Sequence, residues 1–267
     1  MFSIVIPTCN RNDLLSKCLD MVNDGLLLLD KEVEIIVSDD GKDDNAKNLI
    51  EKNYPFARWV EGPKRGPAAN RNNGVKNSKG EWLVFVDDDC LPQHNWLAAY
   101  ALAIENNKET LVFEGRIEAD RPRERFDEQA PVNLNGGNLW SCNFAIQREF
   151  FLQLGGFDES FPFAAMEDVD FHIRAKALTK VIFIPEAVVI HPWRRIKPFS
   201  NFKMQLKSHK HFAIKYNLRG KFDFRWSRLK IFIGTSFISF KLLMSFSMRG
   251  WRAYLLSCLT NFCLIFI

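Results

Sequence analysis

The sequence alternates short apolar runs with segments of helical periodicity, and this alternation constrains the fold more than any other feature. Apolar runs of strand length occupy residues 2–6, 33–37, 57–60, 82–86 and 111–113. Apolar residues recur at helical spacing over residues 13–22, 45–52, 67–77 and 95–104. Strands that alternate with helices in this order favour a largely parallel sheet covered by helices. The pattern therefore predicts an α/β fold.

Polar side chains follow three of these strands at the point where each strand ends. They are Thr8, Asn10, Arg11 and Asp13 after the first strand, Asp39 and Asp40 after the second, and Asp87, Asp88 and Asp89 after the fourth. Open α/β sheets bind ligands outside the carboxyl ends of their strands. We therefore expect the three clusters to meet in one crevice.

The acidic triplet 87–89 is the sharpest single signal, because it directly follows the apolar run 83–86. Three adjacent carboxylates repel one another unless a cation neutralises them. Mg²⁺ binds through one or two carboxylates together with substrate phosphates. The alternative is a solvated acidic turn, which the buried character of the preceding strand disfavours. The chain has no GxxxxGK[ST] and no GxGxxG after a strand, so P-loop and dinucleotide sites are not expected.

The second half of the chain is less regular. The charged segment 118–138, with its Gly136-Gly137 pair, is interpreted as a mobile surface loop. Beyond it we predict strands at 139–146, 181–185 and 188–190 and helices at 149–154 and 169–178.

Six short motifs occur in an order that resembles the family 2 glycosyltransferases of the GT-A fold. They are residues 3–11 (SIVIPTCNR), 37–41 (VSDDG), 66–72 (GPAANRN), 85–89 (FVDDD), 155–159 (GGFDE) and 167–170 (EDVD). The resemblance covers about residues 2–195, so we predict a catalytic domain over residues 1–195. The family usually has Tyr after the Pro-Thr pair, whereas this chain has Cys9.

The resemblance implies a role for each matching residue. Asp168 is the expected general base, and Glu167 helps to hold the acceptor or the sugar. The metal, Mg²⁺ or Mn²⁺, is expected on Asp89, Asp87 and His191. The residues expected to contact the donor nucleotide are Pro7, Thr8, Asn10, Arg11, Asp39, Asp40, Arg71, Asp87 and Asp88. Taken alone, the acids at 167–170 also suit the start of a helix, and His191 also suits a structural role.

The implied reaction moves a sugar from a nucleotide-sugar donor to a glycan, a lipid-linked acceptor or another hydroxyl acceptor, and a single base with direct attack inverts the anomeric centre. Two alternatives stay open. One is a nucleotidyltransferase, which also pairs a nucleotide site with acidic metal ligands. The other is a catalytically inactive protein that binds sugar or membrane. No nucleic-acid partner is expected.

Residues 196–267 fall outside the resemblance and are predicted to form a basic and apolar helical tail. Residues 192–267 hold 15 of the 36 Lys and Arg but only one acid, Asp223, and so carry a net charge of +14 against −10 for residues 1–191. The apolar stretches 231–248 and 253–267 are borderline for spanning a bilayer, which takes roughly 20 apolar residues. We predict that this tail associates with a membrane, either as a span or in the membrane plane. Packing onto the catalytic domain as extra core is the alternative.

The six cysteines show no metal-site spacing and are expected to be free thiols in a reducing compartment. The start of the chain reads as a strand and not as a signal peptide. The expected location is therefore cytoplasmic, at the inner face of the cell membrane.

Overall fold

A computed structural model describes residues 1–42, 45–218 and 221–266 of the chain. Ile267, the last residue of the predicted apolar stretch, lies outside the described residues. The chain forms two compact units. The first comprises Met1–Asp120, Pro131–Ser160 and Glu167–Pro192, and the second comprises Arg121–Ala130, Phe161–Met166 and Trp193–Ile267. The domain boundary at residue 195 stays a prediction.

The first unit is organised around a sheet that has eight strands in the described part of the chain. In chain order the strands are β1 (Phe2–Thr8), β2 (Val33–Asp39), β3 (Ala57–Glu61), β4 (Trp82–Phe85), β5 (Leu91–Pro92), β6 (Val112–Ala119), β7 (Glu128–Gln129), β8 (Phe144–Gln147), β9 (Val181–His191) and β10 (Arg194–Arg195). The sheet order is β3-β2-β1-β4-β8-β6-β9-β5, while β7 and β10 pair with each other in the second unit.

The strands that carry the predicted site run in one direction. Strand β1 pairs in parallel with β2 and with β4, and β2 pairs in parallel with β3. Strand β8 is antiparallel to both β4 and β6. The carboxyl ends of β1, β2 and β4 therefore lie at one edge of the sheet. The α/β prediction is confirmed.

Helices cover the two faces of this sheet because its central strands are apolar on both sides. The helices of the first unit are α1 (Asn12–Leu26), α2 (Lys47–Asn53), α3 (Pro67–Lys76), α4 (Trp96–Asn106), α5 (Arg148–Gln153) and α6 (Glu167–Lys176), whereas α7 (Pro198–Lys215), α8 (Phe222–Ser245) and α9 (Trp251–Cys263) belong to the second unit. In β1, Ile4 and Ile6 join one hydrophobic cluster with residues of α1 and α4, whereas Val5 joins the other with residues of α3, α5 and α6. Alternate residues of a strand face opposite sides, which produces this division.

The prediction of a surface loop over residues 118–138 is wrong at four residues. Phe126, Asp127, Glu128 and Asn133 are all buried. The two carboxylates tolerate burial because arginines pair with them: Arg125 Nε lies 2.8 Å from Asp127 Oδ1, and Glu128 is paired similarly. Charged residues in a sequence suggest an exposed segment, whereas here arginines neutralise the two carboxylates inside the protein.

Two predicted strands also differ from the structure. The strand expected at 139–146 is confined to Phe144–Gln147, because residues 138–143 turn tightly and the Asn143 amide donates to the Trp140 carbonyl. The two strands expected between 181 and 190 form one strand, β9, whose register against β6 shifts beside Gly115. Pro185 falls in the shifted segment, where its missing N–H breaks no ladder bond.

The second unit contains the helices α7, α8 and α9, followed by a short 3₁₀ helix at Leu264–Phe266. Phe126, Leu243 and Ala253 form its small hydrophobic cluster. Among the described residues, no helix combines the length and the apolar character that crossing a membrane requires. The predicted C-terminal helices are present as α7, α8 and α9.

Candidate active site

The acidic triplet lies directly after β4, and Arg11 pairs with two of its members, Asp88 and Asp89. Asp88 is fully buried, accepts a hydrogen bond of 2.6 Å from the Thr8 hydroxyl and pairs with the Arg11 guanidinium. Burial raises the pKa of Asp88 to about 7 despite these two partners. Its carboxylate thus links the ends of β1 and β4 inside the protein, and its predicted contact with the donor stays a prediction.

Arg71 on α3 is the buried cation of the site. One of its terminal nitrogens lies 2.7 Å from Asp87 Oδ1, and the other lies 3.6 Å from Glu167 Oε1. Burial lowers the pKa of the Arg71 guanidinium, but Asp87 and two further carboxylates raise it more, so the group stays charged. Burial raises the pKa of Asp87, but Arg71 lowers it by more. Arg71 therefore joins the end of β4 to the start of α6.

Asp168, at the start of α6, faces a pocket. Its Oδ2 accepts hydrogen bonds from the Ser141 amide and hydroxyl at 3.3 Å and 3.2 Å. Its Oδ1 is buried and accepts no hydrogen bond from the described residues. Burial raises the pKa of Asp168 although Arg71 opposes the shift, and burial with the Asp168 charge raises the pKa of Glu167 to about 8.

The pocket beside Asp168 has a volume of about 210 Å³. Its wall consists of residues 137–140 and one face of α6, including Val169, His172 and Ile173. Trp140 contributes an indole N–H that is buried and has no hydrogen-bond acceptor among the described residues. The wall thus combines a carboxylate, an aromatic ring and unsatisfied polar atoms, which suits a polar ligand with an apolar face.

The structure brings two of the three predicted metal ligands together. His191, at the end of β9, has its Nε2 atom 3.4 Å from Asp89 Oδ1, and Cys90 completes a group whose ligand atoms all lie within 4.8 Å of one another. The carboxylate of Asp87 is directed to Arg71 instead. A carboxylate and an imidazole fit a divalent ion such as Mn²⁺. Burial and a hydrogen bond with Cys142 raise the pKa of the Cys90 thiol, which keeps it protonated.

Asp39 and Asp40 hold the loop after β2. Asp39 accepts hydrogen bonds from the amides of Gly41 and Ala46 and from the Trp59 indole. Asp40 accepts from the amides of residues 64 and 66, and burial raises its pKa although these bonds oppose the shift. A Cβ atom on Gly62 would overlap the Asp40 carboxylate, so glycine is required at that position.

The first strand supplies backbone and loop groups to the same edge. Pro7 is buried within β1, beside Ser38 of β2. Asn10 adopts a positive φ of 53°, and its side-chain oxygen accepts a hydrogen bond from the Lys42 amide. Cys9, where the family usually has Tyr, is exposed. The donor contacts expected of Pro7 and Asn10 stay predictions.

The sequence reasoning missed two buried amides that position the site. Asn70 donates to the backbone carbonyls of Thr8 and Ser38, so it fixes α3, and with it Arg71, against β1 and β2. Asn143 connects β6, β9 and α4 through four side-chain hydrogen bonds. A signal existed for Asn70, because α3 contains three Asn residues, which favour helix interiors poorly.

The sequence of the chain matches a known protein family. A family model described as "Glycosyl transferase family 2" matches residues 3–171. The chain belongs to this family. The family prediction is thereby confirmed, and the motifs at residues 3–11, 37–41, 66–72, 85–89, 155–159 and 167–170 all fall within the match.

Two curated relatives are similar to part of this chain. One is the "GalNAc(5)-diNAcBac-PP-undecaprenol beta-1,3-glucosyltransferase" of Campylobacter jejuni, 35% identical over 92 residues that cover 33% of this chain and 29% of the relative. The other is the "Poly(ribitol-phosphate) beta-glucosyltransferase" of Bacillus spizizenii, which is 33% identical over 140 residues that cover 48% of this chain and 22% of the relative. The chain thus spans less than a third of the length of these relatives.

The fold resembles solved structures of low sequence identity. The structure of Staphylococcus aureus TarS 1–349 in complex with UDP-GlcNAc superposes with a TM-score of 0.59 at 19% identity, covering 79% of this chain and 66% of TarS. The structure of GalNAc-T7 with UDP, GalNAc and Mn²⁺ gives a TM-score of 0.58 at 18% identity and covers 74% of this chain and 44% of GalNAc-T7. The predicted GT-A type of the α/β fold is confirmed.

Proposed function

We propose that this protein is a metal-dependent, inverting glycosyltransferase that moves a sugar from a nucleoside-diphosphate donor to a hydroxyl acceptor. The observation that carries the proposal is the position of Asp168. Asp168 lines a pocket of about 210 Å³, and its buried Oδ1 atom accepts no hydrogen bond from the described residues. The other oxygen is held by Ser141. An oriented carboxylate with one oxygen available is what a general base for an acceptor hydroxyl requires.

The reaction balances around this carboxylate. The acceptor oxygen forms a bond to the anomeric carbon of the donor sugar while Asp168 takes the hydroxyl proton. The bond between that carbon and the diphosphate oxygen breaks, and the diphosphate leaves with the electron pair. Because attack and departure occur on opposite faces in one displacement, the anomeric configuration inverts.

The buried Arg71 cation and Glu167 prepare the base for this step. Arg71 contacts Asp87 and Glu167 and lowers the pKa of Asp168 against the effect of burial. Burial and the Asp168 charge raise the pKa of Glu167, which favours its protonated form, and a protonated carboxyl can donate a hydrogen bond to a sugar hydroxyl. The pair would thus combine a proton donor for binding with a carboxylate for catalysis.

The donor assignment is supported by the site and by structural relatives. The polar groups of Thr8, Arg11, Asp40 and Arg71 lie at the carboxyl edge of the sheet, where α/β folds bind nucleotides. TarS carries UDP-GlcNAc and GalNAc-T7 carries UDP in their structures. We propose a nucleotide-sugar donor on that basis.

Replacing the base provides the direct test. Asp168→Asn keeps the shape of the side chain but removes its basicity, so transfer should fall about a hundredfold or more while donor affinity changes little. The measurement is nucleoside diphosphate release with a panel of nucleotide sugars, together with donor binding by calorimetry. Glu149→Gln, an equally conservative change of an exposed carboxylate on α5, is the control and should leave both values unchanged. Transfer at nearly the wild-type rate in Asp168→Asn would assign the base elsewhere.

We propose that Asp89 and His191 hold the divalent ion, Mg²⁺ or Mn²⁺. When bound, such an ion neutralises the charge that develops on the leaving diphosphate. Asp89→Ala should weaken Mn²⁺-dependent donor binding at least tenfold by calorimetry, whereas Asp24→Ala, at an exposed site on α1, should not. Unchanged metal dependence in Asp89→Ala would contradict the assignment.

We further propose that the acceptor is a carbohydrate or a lipid-linked glycan and that the protein works at the inner face of the cell membrane. Two observations support this location: the +14 charge of residues 192–267, and the polyprenyl-linked substrate in the name of the Campylobacter jejuni relative. Each basic residue near an anionic leaflet contributes about 1 kcal/mol of binding. A full-length chain that remains wholly in the soluble fraction without detergent would contradict the location.

A further inference from the structure

Helix α8 exposes a stripe of apolar residues. It consists of Trp226, Ile233, Phe237, Phe240 and Met244, which are between 46% and 63% exposed. Successive members are separated by 7, 4, 3 and 4 residues, so they lie on one face of the helix. Leu243, on another face, is buried in the small cluster of the second unit. The helix thus packs through one side and leaves an apolar side uncovered.

Helix α9 and the 3₁₀ turn after it repeat this arrangement. Trp251, Leu255, Leu259, Phe262 and Phe266 are between 44% and 64% exposed and follow one another at spacings of 4, 4, 3 and 4 residues. On the opposite side, Ala253, Thr260 and Leu264 are buried. The residues of both helices are called the apolar stripes below.

The two apolar stripes belong to neighbouring helices. Phe232 of α8 contacts Phe262 with ring centroids 5.8 Å apart, and Phe240 contacts Tyr254 at 6.0 Å. Single exposed apolar residues are normal on a soluble protein, but a contiguous surface of this kind marks a binding interface. Ten large apolar side chains on two adjoining helices require an apolar partner.

The charges around the stripes indicate which partner this is. The ammonium groups of Lys230 and Lys241 lie 5.5 Å and 4.6 Å from the ring centroids of Trp226 and Phe237, and the Arg252 guanidinium lies 5.4 Å from Trp251. Asp223 is the only acid in residues 192–267. A second copy of this surface would bring cation against cation, whereas an anionic lipid surface complements it.

The length of α9 and the charge on α8 determine how these helices meet a bilayer. Helix α9 has 13 residues, which span about 20 Å, whereas the hydrocarbon core is about 30 Å thick. Lys241 interrupts the apolar face of α8, and a lysine beside such a face can extend its ammonium group to the headgroups. Both helices therefore suit the interface and not a crossing.

We propose that α8 and α9 bind in the plane of an anionic bilayer, with the apolar stripes inserted below the headgroups and the flanking cations on the phosphates. This rests on the membrane location proposed above and names the surface that achieves it. Trp226 and Trp251 mark the insertion, because indole rings favour the boundary between headgroups and acyl chains.

The test uses the full chain and vesicles of phosphatidylglycerol with phosphatidylethanolamine, or of phosphatidylcholine alone. The double variant Phe237→Ser with Leu255→Ser removes one member from each stripe and should bind anionic vesicles at least about tenfold more weakly in flotation assays. The matched control is Leu102→Ser with Leu178→Ser, at two leucines of the first unit that are 59% and 63% exposed. It should bind as the wild type does. Wild-type binding should be weaker to phosphatidylcholine and should fall with salt.

A second measurement is independent of vesicle affinity. Lipids brominated near the headgroup should quench part of the wild-type tryptophan fluorescence, and Trp226→Phe with Trp251→Phe should remove that quenching. Equal vesicle binding by the stripe variant and the wild type would overturn the proposal. So would a dimer that dissociates in the stripe variant while vesicle binding is unchanged, because a second copy would then be the partner. Metal-dependent donor hydrolysis should be normal in the stripe variant, so loss of vesicle binding and loss of catalysis are separable.

Discussion

At the residue scale, the site distributes its carboxylates among different tasks by giving them different partners. Asp88 is enclosed by Thr8 and Arg11 and links two strands. Asp89 lies beside His191, also pairs with Arg11 at 3.1 Å, and keeps part of its side chain accessible. Neighbours in sequence thus become unlike in chemistry, because successive side chains after a strand point in different directions. A carboxylate acts on a ligand only where the protein has not already used all of its oxygens.

Asn143 is the residue whose loss should damage the fold most. Its side-chain oxygen accepts from the Trp96 indole at 2.7 Å and the Tyr100 hydroxyl at 2.8 Å, and its nitrogen donates to the carbonyls of Arg116 and Ala187. Asn143→Ala would leave these four buried groups without their partner, so the free energy of unfolding should fall by about 3 kcal/mol. Urea unfolding followed by circular dichroism measures this.

Asn107→Ala is the appropriate comparison for Asn143→Ala. Asn107 ends α4, is partly exposed and donates one side-chain hydrogen bond, to the Ala103 carbonyl. Water replaces that bond, so the cost should be less than about 1 kcal/mol. An equal loss of unfolding free energy in the two variants would show that the four hydrogen bonds of Asn143 do not stabilise the fold.

At the element scale, the sequence predicted the parts whose partners are local and missed those whose partners are distant. Strands β1, β2 and β4 were predictable because their central residues are buried and mostly apolar. The segment 118–138 was not, because the distant Leu243 and Ala253 cover Phe126, and because Asp127 pairs not only with the nearby Arg125 but also with Arg195, 68 residues away. No local pattern contains that pairing.

The site follows the same division. The acidic residues after β2 and β4 were predictable, because strand ends and charge are visible in sequence. The Asp87 carboxylate contacts Arg71, whereas Asp89 contacts His191. These contacts depend on where α3 and the end of β9 lie relative to the end of β4. Asn143 was missed because an amide gives no sign of burial until its partners are known.

At the scale of the whole molecule, the boundary between the acidic and the basic part of the chain differs from the boundary between the two compact units. The net charge changes sign near residue 192, from −10 to +14. The second unit nevertheless includes Arg121–Ala130, which comes from the acidic part of the chain. Within that unit the Phe126 amide donates to the Arg249 carbonyl, and the Ile196 amide donates to the Asp127 carbonyl. The basic tail is therefore part of a packed unit and not only an appendage.

A chain that ends at residue 195 should consequently be poorly soluble. Phe126 is 8% exposed because Leu243, Ala253 and Tyr254 cover it, and truncation removes all three. The uncovered ring and the unpaired backbone groups around it should promote aggregation. Phe126→Ser should have opposite effects in the two chains. It should raise the solubility of the chain 1–195, whereas in the full chain it should lower the free energy of unfolding of the second unit by about 3 kcal/mol. Sedimentation of expressed protein and thermal unfolding measure these effects, and a fully soluble chain 1–195 with an unchanged melting temperature would show that the tail is dispensable for packing.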